Sequence, residues 1–408
     1  MDRGEINSDK SPRREKALAV ATCFFLLLLV CASIALAQRP PVEQAWSLLA
    51  QGRRDEAVSL LYSITKTNPS DADARLLLGS VLMEEGQRSA SLAQLSEAVR
   101  LRPHSAQAQD ALGEALNAFG DINGARGAFE KASILNPGFA QAQVDLGVVL
   151  LKSGQASAAQ PHLDRAIQLL GPSADAAFPH YLRAKIYTER GQVRKAAADL
   201  EEAISLDPKF AEAWSDLGEA RSTLLDQAGA LEAFERAVSF APNDPVAQTR
   251  FGSELLEQGK TAEAVPHLEE AAHLDPGNQS ALYSLERALR QDGHPAQAKA
   301  VSEELAALLH SRDQRDQRAF TAIQLNDQGS ALEKAGHLRA ALEKYRAALR
   351  LDPSYVGIRI NYAAALLHLG HWSEGVAELR EVLRIDPGNY AVQKALQEAL
   401  AYPQRTAR

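Results

Sequence analysis

The sequence predicts an all-α fold, an array of about ten stacked helical hairpins, and three observations carry that prediction. Prolines recur at Pro69, Pro103, Pro137, Pro208, Pro242, Pro276, Pro353 and Pro387, 34 residues apart except across two wider gaps of 71 and 77 that each hold two units and a few extra residues. Aligned on that period, position 15 is Gly in nine of ten units (Gly52, Gly86, Gly120, Gly154, Gly191, Gly259, Gly293, Gly336, Gly370), as expected where a helix ends in a left-handed residue. Position 20 never exceeds Ala or Ser in size: Ala57, Ser91, Ala125, Ala159, Ala196, Ala230, Ala264, Ala298, Ala341 and Gly375. Two helices must cross closely at that column. No strand-like alternation is sustained, so each unit reads as helix, tight turn, helix.

The chain opens with a polar segment, residues 1–16, followed by the uncharged run Ala17 to Ala37, which closes on Ala35-Leu36-Ala37 and then Gln38-Arg39-Pro40-Pro41. A charged leader, an apolar stretch and a small-x-small site read as an export signal cleaved after Ala37. Left uncut, the same 21 residues are long enough to span a bilayer as an anchor. Either way the body is expected on the non-cytoplasmic side, periplasmic or otherwise extracytoplasmic, because basic residues hold the leader inside.

From Gln38 the ten units begin at Gln38, Ala72, Ala106, Ala140, Ala177, Ala211, Pro245, Gln279, Ala322 and Val356. Position 8 is mostly Gly and position 27 mostly Ala, while positions 7, 11 and 24 carry the Leu, Phe or Tyr that fill the space left by small residues. Position 34 holds helix-capping side chains at Asp71, Ser105, Asp244, Asn278 and Asn389, and Pro245 is a favoured first helical residue.

With these columns on view, the chain resembles the tetratricopeptide repeat family, whose pattern runs W-x2-L-G-x2-Y, A-x3-F and then P. The sixth unit carries it as Trp214, Leu217, Gly218, Ala230, Phe234, Ala237 and Pro242, departing at Arg221, where the family has an aromatic. The resemblance implies a right-handed superhelical solenoid whose first helices line a concave groove.

Two insertions interrupt the array. Gly171 to Ala176 is expected only to shift one hairpin slightly. The second lies in unit eight, which has His310 in place of its closing proline and no Gly or Pro from Ala296 to Gln328. Its charged near-repeat from Ser311 to Arg318 reads either as an extension of the second helix of that unit or as a solvated loop. The expected organisation is residues 1–37 as signal peptide or N-terminal anchor, 38–310 as repeats one to eight, 311–321 as a charged helical insertion, 322–389 as repeats nine and ten, and 390–408 as a capping helix and tail.

Chemistry is sparse. Both cysteines, Cys23 and Cys31, lie in the leader, so disulfides, cysteine metal sites and a cysteine nucleophile are excluded from the body. A net charge of -8 argues against nucleic acid as a partner. Gly259-Lys260-Thr261 lacks the upstream glycine of a phosphate loop, and Glu254 stands there instead. Of the ten histidines, His294, His337 and His371 recur at position 16 and His162 and His267 at position 23, and the set is assigned structural or incidental roles. No nucleophile elbow or nucleotide fingerprint occurs, so no catalytic residue, cofactor or metal is expected.

The family's groove positions are 2, 5, 9 and 12. Tyr181 with Lys185 in unit five, and Tyr283 with Arg287 in unit eight, set an aromatic beside a cation one helical turn on, and Arg290 follows on the same face. Asp110, Glu114 and Glu219 give acidic patches in units three and six. The expected function is a non-catalytic scaffold that binds partner proteins in this groove, the tyrosines as anchors and the cations reading acidic groups. Membrane contact is expected only through an uncleaved leader. Binding of an envelope polymer, polysaccharide or peptidoglycan, is the alternative, disfavoured by an aromatic content of 6%.

Overall fold

The computed structural model describes residues 41–386 and 389–406. Residues 1–37, expected from the sequence to be a signal peptide or anchor, lie outside them. Every regular element among the described residues is helical. They fall into two compact units, divided after Pro242.

The first unit comprises α1 (Pro41–Ala50), α2 (Arg54–Thr67), α3 (Ala72–Glu84), α4 (Arg88–Leu101), α5 (Ala106–Ala118), α6 (Ile122–Leu135), α7 (Ala140–Lys152), α8 (Ala156–Leu170), α9 (Ala177–Glu189), α10 (Val193–Leu206), α11 (Ala211–Thr223) and α12 (Gln227–Phe240). The second comprises α13 (Pro245–Glu257), α14 (Thr261–Leu274), α15 (Gln279–Gln291), α16 (Pro295–Lys334), α17 (Leu338–Leu351), α18 (Val356–His368), α19 (Trp372–Ile385) and α20 (Tyr390–Thr406).

The same local chemistry builds each hairpin. All nine turn glycines have positive φ. In repeat six, which lacks that glycine, Leu225 takes the left-handed conformation at φ 64 and is the only non-glycine among the described residues to do so. The five position-34 side chains all cap: Asp71 accepts from the Ala74 amide, Ser105 from Ala108, Asp244 from Val246, Asn278 from Ala281 and Asn389 from Val392.

Within hairpins, the small columns let the helices close. A Cβ added at Gly113 would stand 2.7 Å from the Phe129 ring, at Gly218 2.6 Å from Phe234, and at Gly252 2.6 Å from Leu268. In these hairpins the position-24 side chain seats on the position-8 glycine, and it is buried because nothing larger than hydrogen stands there. The position-20 residues are buried in every repeat. Where that column is polar, Ser91 donates its hydroxyl to the Gly79 carbonyl at 2.8 Å. In the second unit α20 covers the last hairpin, burying Val392 and Ala399 beside Ala363, Leu379 and Val382.

Both insertions take definite form. Residues 311–321 lie inside α16, one helix of 40 residues that carries the second helix of repeat eight without a stop into the first helix of repeat nine. Side chains from Ser311 to Arg318 are all exposed. The first insertion does more than shift a hairpin. Gly171 turns the chain at φ 59, and a 3-10 turn at Ala174–Ala176 buries Ala176 completely. Ala174 and Asp175 then form part of the wall of a cleft.

Candidate functional site

The cleft occupies about 570 Å³ at the N-terminal ends of α7, α9 and α11 in the first unit. Phe139, Val144, Phe178, Pro179 and Phe210 give it apolar walls, and Asp145, Asp175 and Asp207 add carboxylates. Phe139 and Phe210 occupy position 34, where five other repeats place a capping side chain, and neither makes a side-chain cap. Capping of α7 and α11 is exchanged here for aromatic surface. That exchange is the sequence signal that marks the cleft, and a reading confined to positions 2, 5, 9 and 12 passes over it.

Tyr181 is not part of the cleft lining but packs behind two of its walls, half-buried, with its ring centroid 4.8 Å from that of Phe210 and 6.4 Å from that of Phe178. Lys185, one turn further along α9, holds its Nζ 5.3 Å from the Tyr181 centroid and 3.9 Å from a carboxylate oxygen of Asp216. The aromatic and cation pair of repeat five is therefore a formed group, extended by Phe178 and Phe210.

Of the acidic residues, Glu219 is exposed on α11. Asp110 and Glu114 are different. With Asp145 of α7 they bring one carboxylate oxygen each to within 4.8 Å of the others. Asp110 is only 5% exposed, and its Oδ1 has no hydrogen-bond partner. Gln141 donates to Asp145 Oδ2 at 2.9 Å. Burial, reinforced by Asp145 and Glu114, pushes the Asp110 carboxyl up to about 8, and burial also raises Glu114 and Asp145. Asp145 sits at position 6, beside the expected groove register.

In the second unit Tyr283 is 61% exposed on α15, and among the described residues no second ring packs on it as Phe178 and Phe210 do on Tyr181. Arg287 bonds Glu257 of α13 at 2.6 Å, which lowers the Glu257 carboxyl, and Arg290 pairs with Glu286 on its own helix. Arg287 is half-buried and Arg290 exposed, and both already carry carboxylate partners.

Several polar groups serve the scaffold. His162 and His267, both at position 23, place Nδ1 2.8 Å from Oε1 of Gln143 and Gln248 at position 4 of the same repeat. Burial lowers both imidazoles, which favours the neutral form. Arg183 donates to Asp199 at 2.7 and 2.6 Å and to Asp164 at 2.7 Å, and His180 lies 3.1 Å from Asp199. This network ties α8, α9 and α10 together. Burial would raise Asp199, but the bonds from Arg183 and His180 outweigh it and hold the carboxyl below its usual value.

Comparison with known proteins points one way. Models of the tetratricopeptide repeat match residues 48–115, 255–319 and 332–400, with related models at 111–177 and 184–224. A tetratricopeptide repeat-containing protein of Pseudomonas aeruginosa is 32% identical over 74 residues, 18% of this chain and 70% of that protein. A heat-shock protein cognate co-chaperone of Aspergillus fumigatus is 38% identical over 108 residues, 26% of this chain, and the match spans only 30% of that relative. Among solved structures, Pseudomonas aeruginosa PilF covers 51% of this chain and 93% of its own at 20% identity, with a TM-score of 0.46.

Proposed function

We propose, from the premise that this chain belongs to the tetratricopeptide repeat family, that it is a non-catalytic scaffold holding an apolar-anchored segment of a partner protein in the cleft of its first unit, on the non-cytoplasmic side of a membrane. Such repeats are protein-protein interaction scaffolds and are generally non-catalytic. The finer reading rests on one observation: Phe178, 44% exposed, stands with Phe139 and Phe210 around an open cleft on the ends of rigid helices, and Tyr181 packs against Phe178 and Phe210. Large rings on a fixed frame give much contact area for little ordering cost, which is why they anchor interfaces. Lys185 and the carboxylates at the rim supply polar contacts around that apolar centre. The export reading is supported by the leader and its small-residue site.

A photo-crosslinking residue at position 178, in the full chain expressed in its own cell envelope, tests the site. Expected is a discrete crosslinked protein that disappears when Phe210→Glu is introduced beside the probe. Crosslinking that survives Phe210→Glu rejects the cleft as the docking site.

A further inference from the structure

Asp110 and Glu114 lie outside the lining of the partner cleft and of their cluster only Asp145 reaches it, yet the construction of that cluster is costly. Three acids converge from two helices, α5 and α7, and the most deeply buried of them leaves Oδ1 without any donor. Among the described residues, no lysine, arginine or histidine pairs with any of the three, and Gln141 alone donates to the cluster, at Asp145. Elsewhere in this unit a buried carboxylate is satisfied fully, as Asp199 is by Arg183 and His180. Ser173 Oγ and Arg359 Nε are also buried without a partner, but only Asp110 leaves its open acceptor in a residue that shares a cluster with two further carboxylates, and such a group calls for a ligand.

We infer that Asp110, Glu114 and Asp145 form a binding site for one hard divalent cation, with Ca²⁺ as the best fit. The donor set is all oxygen and all carboxylate, the preference of Ca²⁺, Mn²⁺ and Mg²⁺ and not of the softer ions that seek thiolate or imidazole. The oxygens are close enough for one ion to gather them. Two oxygens in one Ca²⁺ shell lie at most twice the metal–oxygen distance apart, about 4.8 Å, and the three oxygens here meet that limit. Spacing on the helix supplies the rest: Asp110 and Glu114 are four residues apart, on one face of α5, and Asp145 faces them from the first helix of the next hairpin. Asp145 also lines the cleft, so water can complete the shell from that side. The bound ion replaces the protons or mutual repulsion that otherwise accompany three neighbouring carboxyls, and it clamps α5 to α7.

The test uses the full chain, stripped with chelator and titrated calorimetrically with CaCl₂, MnCl₂ and MgCl₂, with melting temperature followed in parallel. Expected is saturable binding of one ion per chain and a melting temperature that rises with the ion, as binding to the native state alone requires. Asp110→Asn and Asp145→Asn, which keep side-chain shape, should each weaken binding by about tenfold or more and abolish the thermal shift. Glu235→Gln, on α12, should leave both unchanged. The inference is overturned if none of the three ions binds or if binding survives Asp110→Asn with unchanged affinity. Phe210→Glu separates this site from the partner cleft, since it should remove crosslinking and leave ion binding intact.

Discussion

At the scale of single residues, the repeat is most informative where one position breaks its own rule. Leu225 performs the turn that glycine performs in nine other repeats, and its side chain is 85% exposed, so it gains almost nothing by burial. A left-handed conformation costs an L-residue about 1–2 kcal/mol, and glycine's added freedom in the unfolded chain gives back about half of that. Leu225→Gly should therefore stabilise the protein by about 0.5–1 kcal/mol in urea unfolding; a loss of stability would mean that Leu225 makes a contact worth more than its strain. Arg183 is the opposite case. Its removal leaves Asp199, which is 6% exposed, with only His180 beside it, and a buried carboxylate that loses its charged partner costs up to about 3–5 kcal/mol. Arg183→Ala should show that loss. The pH dependence has a definite sign. Because the Asp199 carboxyl sits below its usual value in the folded chain, its contribution is complete above the unfolded value near 3.8 and fades as pH falls through the folded one. The stability gap between wild type and Asp199→Asn should be constant near neutrality and begin to close below about pH 4.

At the scale of elements, the hairpins lock a position-8 glycine against the large side chain at position 24. Gly218→Ala places a methyl 2.6 Å from the Phe234 ring, and because both helices are fixed by neighbouring turns the ring cannot retreat cheaply. The expected cost is about 1–3 kcal/mol in thermal or urea unfolding, with Gly127→Ala, where nothing stands within 4 Å, as the harmless control. Helix α16 stands apart. From Lys299 to Arg318 every one of its side chains is exposed or half-buried, so continuity there rests on backbone hydrogen bonds and helix propensity. Gln314→Pro removes one of those backbone bonds and clashes with the preceding turn, at about 3 kcal/mol. Trypsin cleavage at Arg312, Arg315 and Arg318 should then accelerate by on the order of a hundredfold, because cleavage follows the population of the locally opened chain. An unchanged rate would show that this stretch already opens in solution.

At the scale of the whole molecule, the proposed export makes a direct prediction: the mature chain recovered from the envelope should begin at Gln38, by intact mass, and an N-terminus upstream of Cys23 would favour an uncut anchor. The 34-residue period, the turn glycines and the small columns were legible in the sequence because each is a local requirement: a left-handed turn, a close helix crossing and a capped helix end demand particular residue types wherever they recur. Tyr181 with Lys185 was legible for the same reason, as a pair on one helical turn. Phe139 of repeat three meets Phe178 and Phe210 of repeat five, and Asp145 joins Asp110 and Glu114 from another hairpin. No spacing within one repeat encodes such meetings. Nor does composition tell that Arg287 and Arg290 are occupied by Glu257 and Glu286. The sequence by itself determined the repeat, its hairpins and its capping. Only the tertiary structure decided which side chains of successive hairpins share a cleft or a charge cluster, because that depends on how each hairpin packs on the one before it, and the short insertion at Gly171 to Ala176 puts Ala174 and Asp175 into the wall where the cleft opens.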